Sequence, residues 1–83
     1  MGLPAELTLP QIHELLKQAD QLAAGGMLDL SGVSRADSAG LAFLLELERR
    51  ARAQKRELRI TGASEQVRSL VEFFELESAL NFG

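Results

Sequence analysis

The sequence contains no cysteine, tryptophan or tyrosine, and only two of its 83 residues are proline. Without cysteine the chain forms neither a disulfide framework nor a thiolate metal site, which is typical of proteins from a reducing compartment. Its apolar runs are a few residues long, far short of the ~20 needed to cross a bilayer. The N-terminus also lacks a basic segment followed by an apolar signal core. We therefore expect a cytoplasmic protein without a membrane span.

A strong positive charge and catalytic motifs are missing as well. The net charge is −3, whereas a nucleic-acid-binding domain usually carries a basic face and a strongly basic isoelectric point. No G-x-S-x-G motif and no Walker-type glycine loop occurs. The single histidine, His13, has no converging partners and is predicted to be a surface residue. We expect no nucleic-acid partner, no cofactor and no catalysis.

The composition, with 46% hydrophobic and 25% charged residues, is that of an ordinary soluble globular protein. A chain of this length buries only about 60% of the surface that its unfolded form exposes, which leaves room for one core. No internal repeat or linker-like stretch divides the sequence. We therefore predict a single domain over residues 1–83.

Apolar periodicity predicts a first helix over residues 8–24. Thr8, followed three residues later by Gln11, is typical of a capping box, and Pro10 fits in the first turn. Gly25 and Gly26 are expected to end this helix.

Strands and helices then alternate. Residues 27–30 predict a strand that is covered on both faces, residues 38–54 a second helix, and residues 57–61 a second strand. Ser64 is expected to cap a third helix. A strand, a helix and a second strand in this order imply a parallel pair joined by a right-handed crossover. The predicted class is α/β, with a small, mostly parallel sheet packed against helices.

The segment from residue 28 to residue 41 joins the first strand to the second helix, and loops of this kind carry the sites of many α/β proteins. Asp37 or Ser38 can cap the helix, and capping alone would explain either residue. Gly40 has low helix propensity and predicts the close approach of another surface. An exposed Ser38 could also be phosphorylated, and a dianion beside Asp37 would then expel a partner without unfolding the domain.

The second helix contributes the rest of the candidate site. Helical spacing places Leu41, Leu44, Leu45, Leu47 and Ala51 toward the sheet, which leaves a small apolar strip rimmed by charge on the other side. The simpler interpretation is that the alanines of this strip only favour helix formation and that its phenylalanine is half-buried. The predicted partner-binding residues are Asp37, Ser38, Ala39, Gly40, Ala42, Phe43, Glu46 and Arg50.

Two further groups were assigned structural roles. The basic residues near the end of the second helix complement the helix dipole, with an expected pair between Arg52 and Glu48. Phe73 lies off the main apolar stripe of the third helix, in an acidic, partly apolar end that could touch a partner; the simpler interpretation, which we rank first, is that Phe73 packs under the tail of the chain.

The run LDLSGVSRADSAGLAFLLEL resembles the STAS domain, the family named after sulfate transporters and anti-sigma-factor antagonists. In that family an apolar strand that ends in D-x-S is followed by a loop, then D-S or D-T, a small residue and G-L. Asp29, Ser31, Asp37, Ser38, Ala39, Gly40 and Leu41 hold these places. The residues of this motif are most similar to those of the small STAS subunit of Mla-type ABC transporters. The resemblance implies a non-enzymatic protein that binds the cytoplasmic ATPase subunit of a phospholipid transporter and supports lipid asymmetry.

The resemblance leaves two alternatives open. In the sporulation and stress-response branch, the serine that matches Ser38 is phosphorylated by an anti-sigma kinase. The other alternative is an oligomeric scaffold. STAS domains usually open with a β-hairpin, and residues 1–7 suffice for one short strand at most. We therefore expect a shortened or missing hairpin and an exposed sheet edge that a second copy or the partner fills.

Overall fold

The computed structural model describes residues 3–82, and within this range short strands alternate with helices. The predicted α/β class is confirmed. The elements are β1 (Glu6–Leu7), α1 (Leu9–Leu15), a 3₁₀ turn (Leu16–Gln18), α2 (Ala19–Ala24), β2 (Met27–Asp29), β3 (Arg35–Ala36), α3 (Ser38–Ala53), β4 (Arg59–Thr61) and α4 (Glu65–Phe73).

The predicted first helix is divided into α1 and α2 by the 3₁₀ turn. A 3₁₀ helix has about three residues per turn, and the two residues that flank this one, Leu15 and Ala19, are both buried. The capping-box prediction is wrong, because the hydroxyl of Thr8 bonds to the side chain of Gln11 rather than to the helix backbone. The predicted end of the segment is confirmed by α2, which stops at Ala24.

The strands form two parallel pairs within residues 3–82. Strand β1 pairs with β3, and β2 pairs with β4 in the register that sets Leu28 opposite Ile60. Ile60 also forms a parallel bridge to Phe82. The predicted parallel pairing is thus confirmed. The expectation that the strand predicted at residues 27–30 is covered on both faces is wrong, because Met27 and Asp29 are exposed whereas Leu28 and Leu30 are buried.

One short strand, β1, precedes the first helix in the described residues, as expected for a shortened N-terminal hairpin. Its pairing with β3 is reinforced by hydrogen bonds from Ser34 N to Ala5 O (2.8 Å) and from Asp37 N to Leu7 O (3.2 Å). Filling of an open sheet edge by a second copy or by a partner stays a prediction.

One side of helix α3 packs into the core: Leu41, Leu44, Leu47 and Ala51 are buried as predicted, whereas Leu45 is only half-buried. Helix α4 begins as predicted, since Ser64 Oγ accepts a hydrogen bond from Val67 N (3.2 Å). Among residues 3–82, no helix combines the length and apolar character needed to cross a membrane. The same range contains no cluster of side chains that could hold a metal ion.

Candidate functional site

Asp37 caps two helices with one carboxylate. Its Oδ1 accepts a hydrogen bond from Gly40 N in the first turn of α3 (3.0 Å), and its Oδ2 accepts one from Leu9 N at the start of α1 (3.2 Å). Both oxygens therefore satisfy backbone N–H groups that a helix start leaves unpaired. Of the two residues that could cap α3, Asp37 has this role. The neighbouring Ser38 is exposed, and the cap does not require its hydroxyl.

Gly40 permits a close approach, but the approaching surface belongs to the chain itself. A Cβ atom at this position would lie 2.2 Å from the carbonyl oxygen of Leu7 in β1 and 2.9 Å from the Cβ of Leu7. The glycine is buried. The prediction that Gly40 contacts a partner is therefore wrong, and its role is to let β1 lie against the start of α3.

The predicted outer strip of α3 is displaced around the helix. Phe43 is only 1% exposed, so the prediction that it points away from the core is wrong. Ala39, Glu46 and Arg50 are half-buried on the same side of the helix. The reason is that α2 packs along this side of α3, which gives the helix a second buried face beside the one that meets the sheet.

The charged residues of that strip tie α2 to α3. Glu46 binds Arg49 and Arg50 at 2.7 Å each, and Arg50 also reaches Asp20 of α2 at 3.1 Å. Hydrogen bonds from Arg49 and Arg50 lower the pKa of Glu46 to about 2. Glu46 and Arg50 therefore have partners within the fold, and their contact with another protein stays a prediction.

The exposed line of α3 begins at Ser38 and continues through Ala42 to the half-buried Leu45 and the exposed Arg49. These positions follow the spacing of one helical face.

The expected ion pair at the end of helix α3 is confirmed, with Arg52 Nε 3.1 Å from Glu48 Oε1.

Helix α4 and the chain that follows it complete this face. A shallow apolar depression of about 190 Å³ lies between α3 and the end of α4, and we call it the docking hollow; its lining residues are Ser38, Leu41, Ala42, Leu45, Phe74 and Leu76. Phe74, which directly follows α4, is 46% exposed. Phe73 is 79% exposed, so the expectation that it packs under the tail is wrong.

The D-x-S part of the motif has a structural role. Asp29 Oδ1 accepts a hydrogen bond from Ser31 N (2.9 Å), which lowers the pKa of the carboxyl group and fixes the turn after β2. Gly62 packs against this turn with a φ of +71°, and a Cβ there would lie 2.9 Å from Ser31 N. Only glycine fits both the backbone angle and the contact.

A glutamine that the sequence did not single out positions the loop before Asp37. The side chain of Gln66 accepts a hydrogen bond from Ala36 N (2.9 Å) and donates one to Ala36 O (3.1 Å). The amide thereby bonds to the edge of β3 as a neighbouring strand would. No local pattern signals such a contact, because the two residues are 30 positions apart.

The chain is thus a small α/β domain with an exposed helix start beside an apolar hollow. A family model described as "Mlab, STAS domain" matches residues 1–81. The chain therefore belongs to the STAS domain family, and the resemblance read from its motif is confirmed. No curated protein sequence matches the chain at a significant level.

Similarity to a solved structure supports the same fold. The crystal structure of a candidate anti-sigma factor antagonist from Thermotoga maritima aligns with a TM-score of 0.80 and 19% sequence identity. The alignment covers 96% of this chain and 74% of that chain. At this identity the similarity establishes the STAS fold and leaves the function to be argued from the site.

Proposed function

We propose that this chain is a non-enzymatic STAS subunit that binds and regulates the cytoplasmic ATPase of an ABC-type phospholipid transporter, and thereby supports lipid asymmetry. One observation carries the proposal: the exposed Ser38, which the cap made by Asp37 does not require, borders the docking hollow. The description of the matching family, which names an Mlab STAS domain, favours this partner over others.

The chemistry of the site suits tight contact with a protein surface. Ser38 and Ala42 are small and uncharged, so a partner can approach the backbone of α3 without stripping water from a charge. Leu45 and Phe74 supply apolar surface that gains free energy when it is buried. Gly40 and Phe43 support the site from within the fold and touch no partner.

The test is the affinity of the purified chain for the transporter ATPase, measured by titration calorimetry. Ser38→Asp is expected to weaken binding by at least about tenfold, because it buries a second carboxylate beside Asp37. Ala42→Glu should have a similar effect through the same face. His13→Ala is the control, since His13 is exposed on α1 and should leave the affinity unchanged.

The results distinguish a wrong binding face from a wrong partner. If both charged variants bind the ATPase as well as the unmodified chain does, the proposed face is wrong. If the unmodified chain itself does not bind, the ATPase is not the partner.

A second candidate is an anti-sigma-factor antagonist switched by phosphorylation of Ser38, and two observations favour it: the exposure of Ser38 and the similarity to the Thermotoga maritima protein. Phosphate would add about −1.5 to −2 charges at the start of α3. The helix dipole would favour it by only about 0.3–1 kcal/mol, whereas burial of the dianion beside Asp37 in an interface would cost several kcal/mol.

Phosphorylation would therefore preserve the fold and release the partner. Incubation with the organism's anti-sigma kinase and ATP should then add one phosphate to the chain and none to a Ser38→Ala variant. Absence of phosphate on the unmodified chain contradicts this second function.

A further inference from the structure

The end of α4 presents two exposed aromatic rings. Phe73 is 79% exposed and Phe74 is 46% exposed, and their ring centroids lie 5.2 Å apart in an edge-to-face arrangement. Aromatic side chains that project from a surface in this way are typical anchors of protein interfaces. Since Phe74 also lines the docking hollow, the pair extends that hollow beyond α3.

Three carboxylates lie within a few residues of these rings in the sequence, and two of them, Glu72 and Glu77, line a small hollow with Arg68 and Phe82. Glu72 lies in the last turn of α4, and Glu75 and Glu77 follow within a few residues; all three are exposed. Within residues 3–82 none of them forms an ion pair, whereas the glutamates that do pair with Lys or Arg are Glu6, Glu14, Glu46 and Glu48. The last turn of α4 holds no basic residue, and negative charge at a helix C-terminus opposes the helix dipole. Arg68, one turn before Glu72, lies over the ring of Phe82.

The backbone conformation at Glu75 is also unfavourable for a residue other than glycine. Helix α4 ends with hydrogen bonds from Leu76 N to Val71 O and from Glu75 N to Glu72 O, both 3.0 Å long. This termination places Glu75 in the left-handed region with a φ of +58°. Glycine is the residue that such a position favours. A glutamate here adds backbone strain to unfavourable charge.

We propose that Glu72, Phe73, Glu75 and Glu77, named here the acidic–aromatic end of α4, form the second half of the docking surface. Its occupant is a segment of a partner protein whose apolar side chains are flanked by Lys or Arg. Apolar side chains of the segment would cover the rings, and its cations would pair with the free carboxylates. Exposed aromatic surface, unpaired charge and strain each reduce the stability of the free fold, and features of this kind collect at functional sites.

The proposal rests on the proposed function in one respect, because the acidic–aromatic end adjoins the hollow that begins at Ser38. Its test does not use the transporter ATPase. Two short synthetic peptides with the same amphipathic leucine stripe, one flanked by lysines and the other by glutamates, are titrated into the isotope-labelled chain and followed by NMR. The lysine peptide is expected to shift the backbone amide signals of residues 72–77, and the glutamate peptide should leave them in place.

Substitutions test which side chains bind the lysine peptide. Phe73→Ser should weaken binding of the lysine peptide by about tenfold, as loss of an interface anchor does. Met27→Ser is the matched control, because Met27 is 61% exposed but lies on β2, and it should bind the peptide like the unmodified chain. Replacing Glu72, Glu75 and Glu77 together by glutamine should remove the preference for lysine over glutamate.

Several results would overturn the proposal. Equal binding of the two peptides would refute the role of charge, and shifts confined to other elements, or none, would refute the location. If the signals of residues 72–77 move with protein concentration alone, a second copy of this chain occupies the surface instead. The two proposals can also fail separately. If Ser38→Asp loses ATPase binding but the lysine peptide does not shift the signals of residues 72–77, the proposed function stands and this extension of it is rejected.

Discussion

Replacement of Gly40 by alanine tests how the start of α3 is built. The change adds one methyl group to a buried position in the first turn of the helix. That group would begin 2.2 Å from the carbonyl oxygen of Leu7, and contacts below 3.0 Å are essentially never seen. Strand β1 and helix α3 must therefore separate by about 0.8 Å or more before the methyl group fits.

Two opposing terms set the magnitude. Alanine is favoured over glycine inside a helix by about 1 kcal/mol, which would stabilise the variant. Overpacking typically costs about 1–3 kcal/mol, and detaching β1 instead would expose the fully buried Leu7 at a cost of about 1.5–3 kcal/mol. The hydrogen bonds from Ser34 N to Ala5 O and from Asp37 N to Leu7 O resist that separation. Because a contact of 2.2 Å belongs in the upper part of the overpacking range, at about 2–3 kcal/mol, we expect a net loss of about 1–2 kcal/mol after the helix gain is subtracted.

Urea and thermal unfolding followed by circular dichroism measure this loss. For a domain of this size, 1 kcal/mol corresponds to a fall in Tm of roughly 4–8 °C. Gly32→Ala is the matched control, because nothing lies within 4 Å of a Cβ at that position, and its stability should stay near that of the unmodified chain. A Gly40→Ala variant that is as stable as the unmodified chain, or more stable, would refute the packing of β1 against α3.

Three further predictions concern the core, the end of α4 and the ion pairs of α3. Phe43→Ala should lower the free energy of unfolding by about 3–5 kcal/mol, because the ring is 1% exposed, and an unchanged urea midpoint would contradict its place in the core. Glu75→Gly should raise stability by about 1 kcal/mol, since it relieves the left-handed backbone at φ +58°; a lower Tm would count against that strain. The pKa of Glu46 is depressed from 4.5 to about 2, so its stabilising effect is complete above the unfolded value and is lost as the pH falls toward 2. In urea titrations at several pH values, the unmodified chain should therefore exceed Glu46→Gln in stability above about pH 4.5 and lose this advantage in acid; a constant difference would contradict the ion pair.

Local signals in the sequence predict several parts of this fold well. The bounds of α3 and the cap at Ser64 follow from helix-start residues and from apolar spacing, and both are confirmed. Parallel pairing of β2 and β4 follows from the order of the elements. The division of the first helix was missed, because its apolar residues keep one helical spacing through the 3₁₀ turn. The contact between Gln66 and Ala36 depends on tertiary structure and leaves no local pattern.

The predicted site begins at Ser38, which the structure leaves exposed, but the predicted strip continues along a side of the helix that is partly buried. Sequence periodicity assigns one buried face to α3, whereas the packing of α2 adds a second one. Phe43 falls within this second face, and the position of α2 cannot be read from the residues of α3. Helical spacing counted from Ser38 leads through Ala42, which was among the predicted residues, to Leu45, which was not.

The double cap made by Asp37 favours the contact that we propose at the start of α3. A helix start with unpaired N–H groups must keep water or a ligand near them, which opposes dry contact with a protein. Here one carboxylate satisfies Gly40 N of α3 and Leu9 N of α1, and it also holds the two helix starts together. Ser38 then borders the hollow as a small neutral side chain on a fixed backbone. We therefore expect an added charge at Ser38, whether from phosphate or from aspartate, to weaken the proposed contact with a partner and to leave the fold beneath it in place.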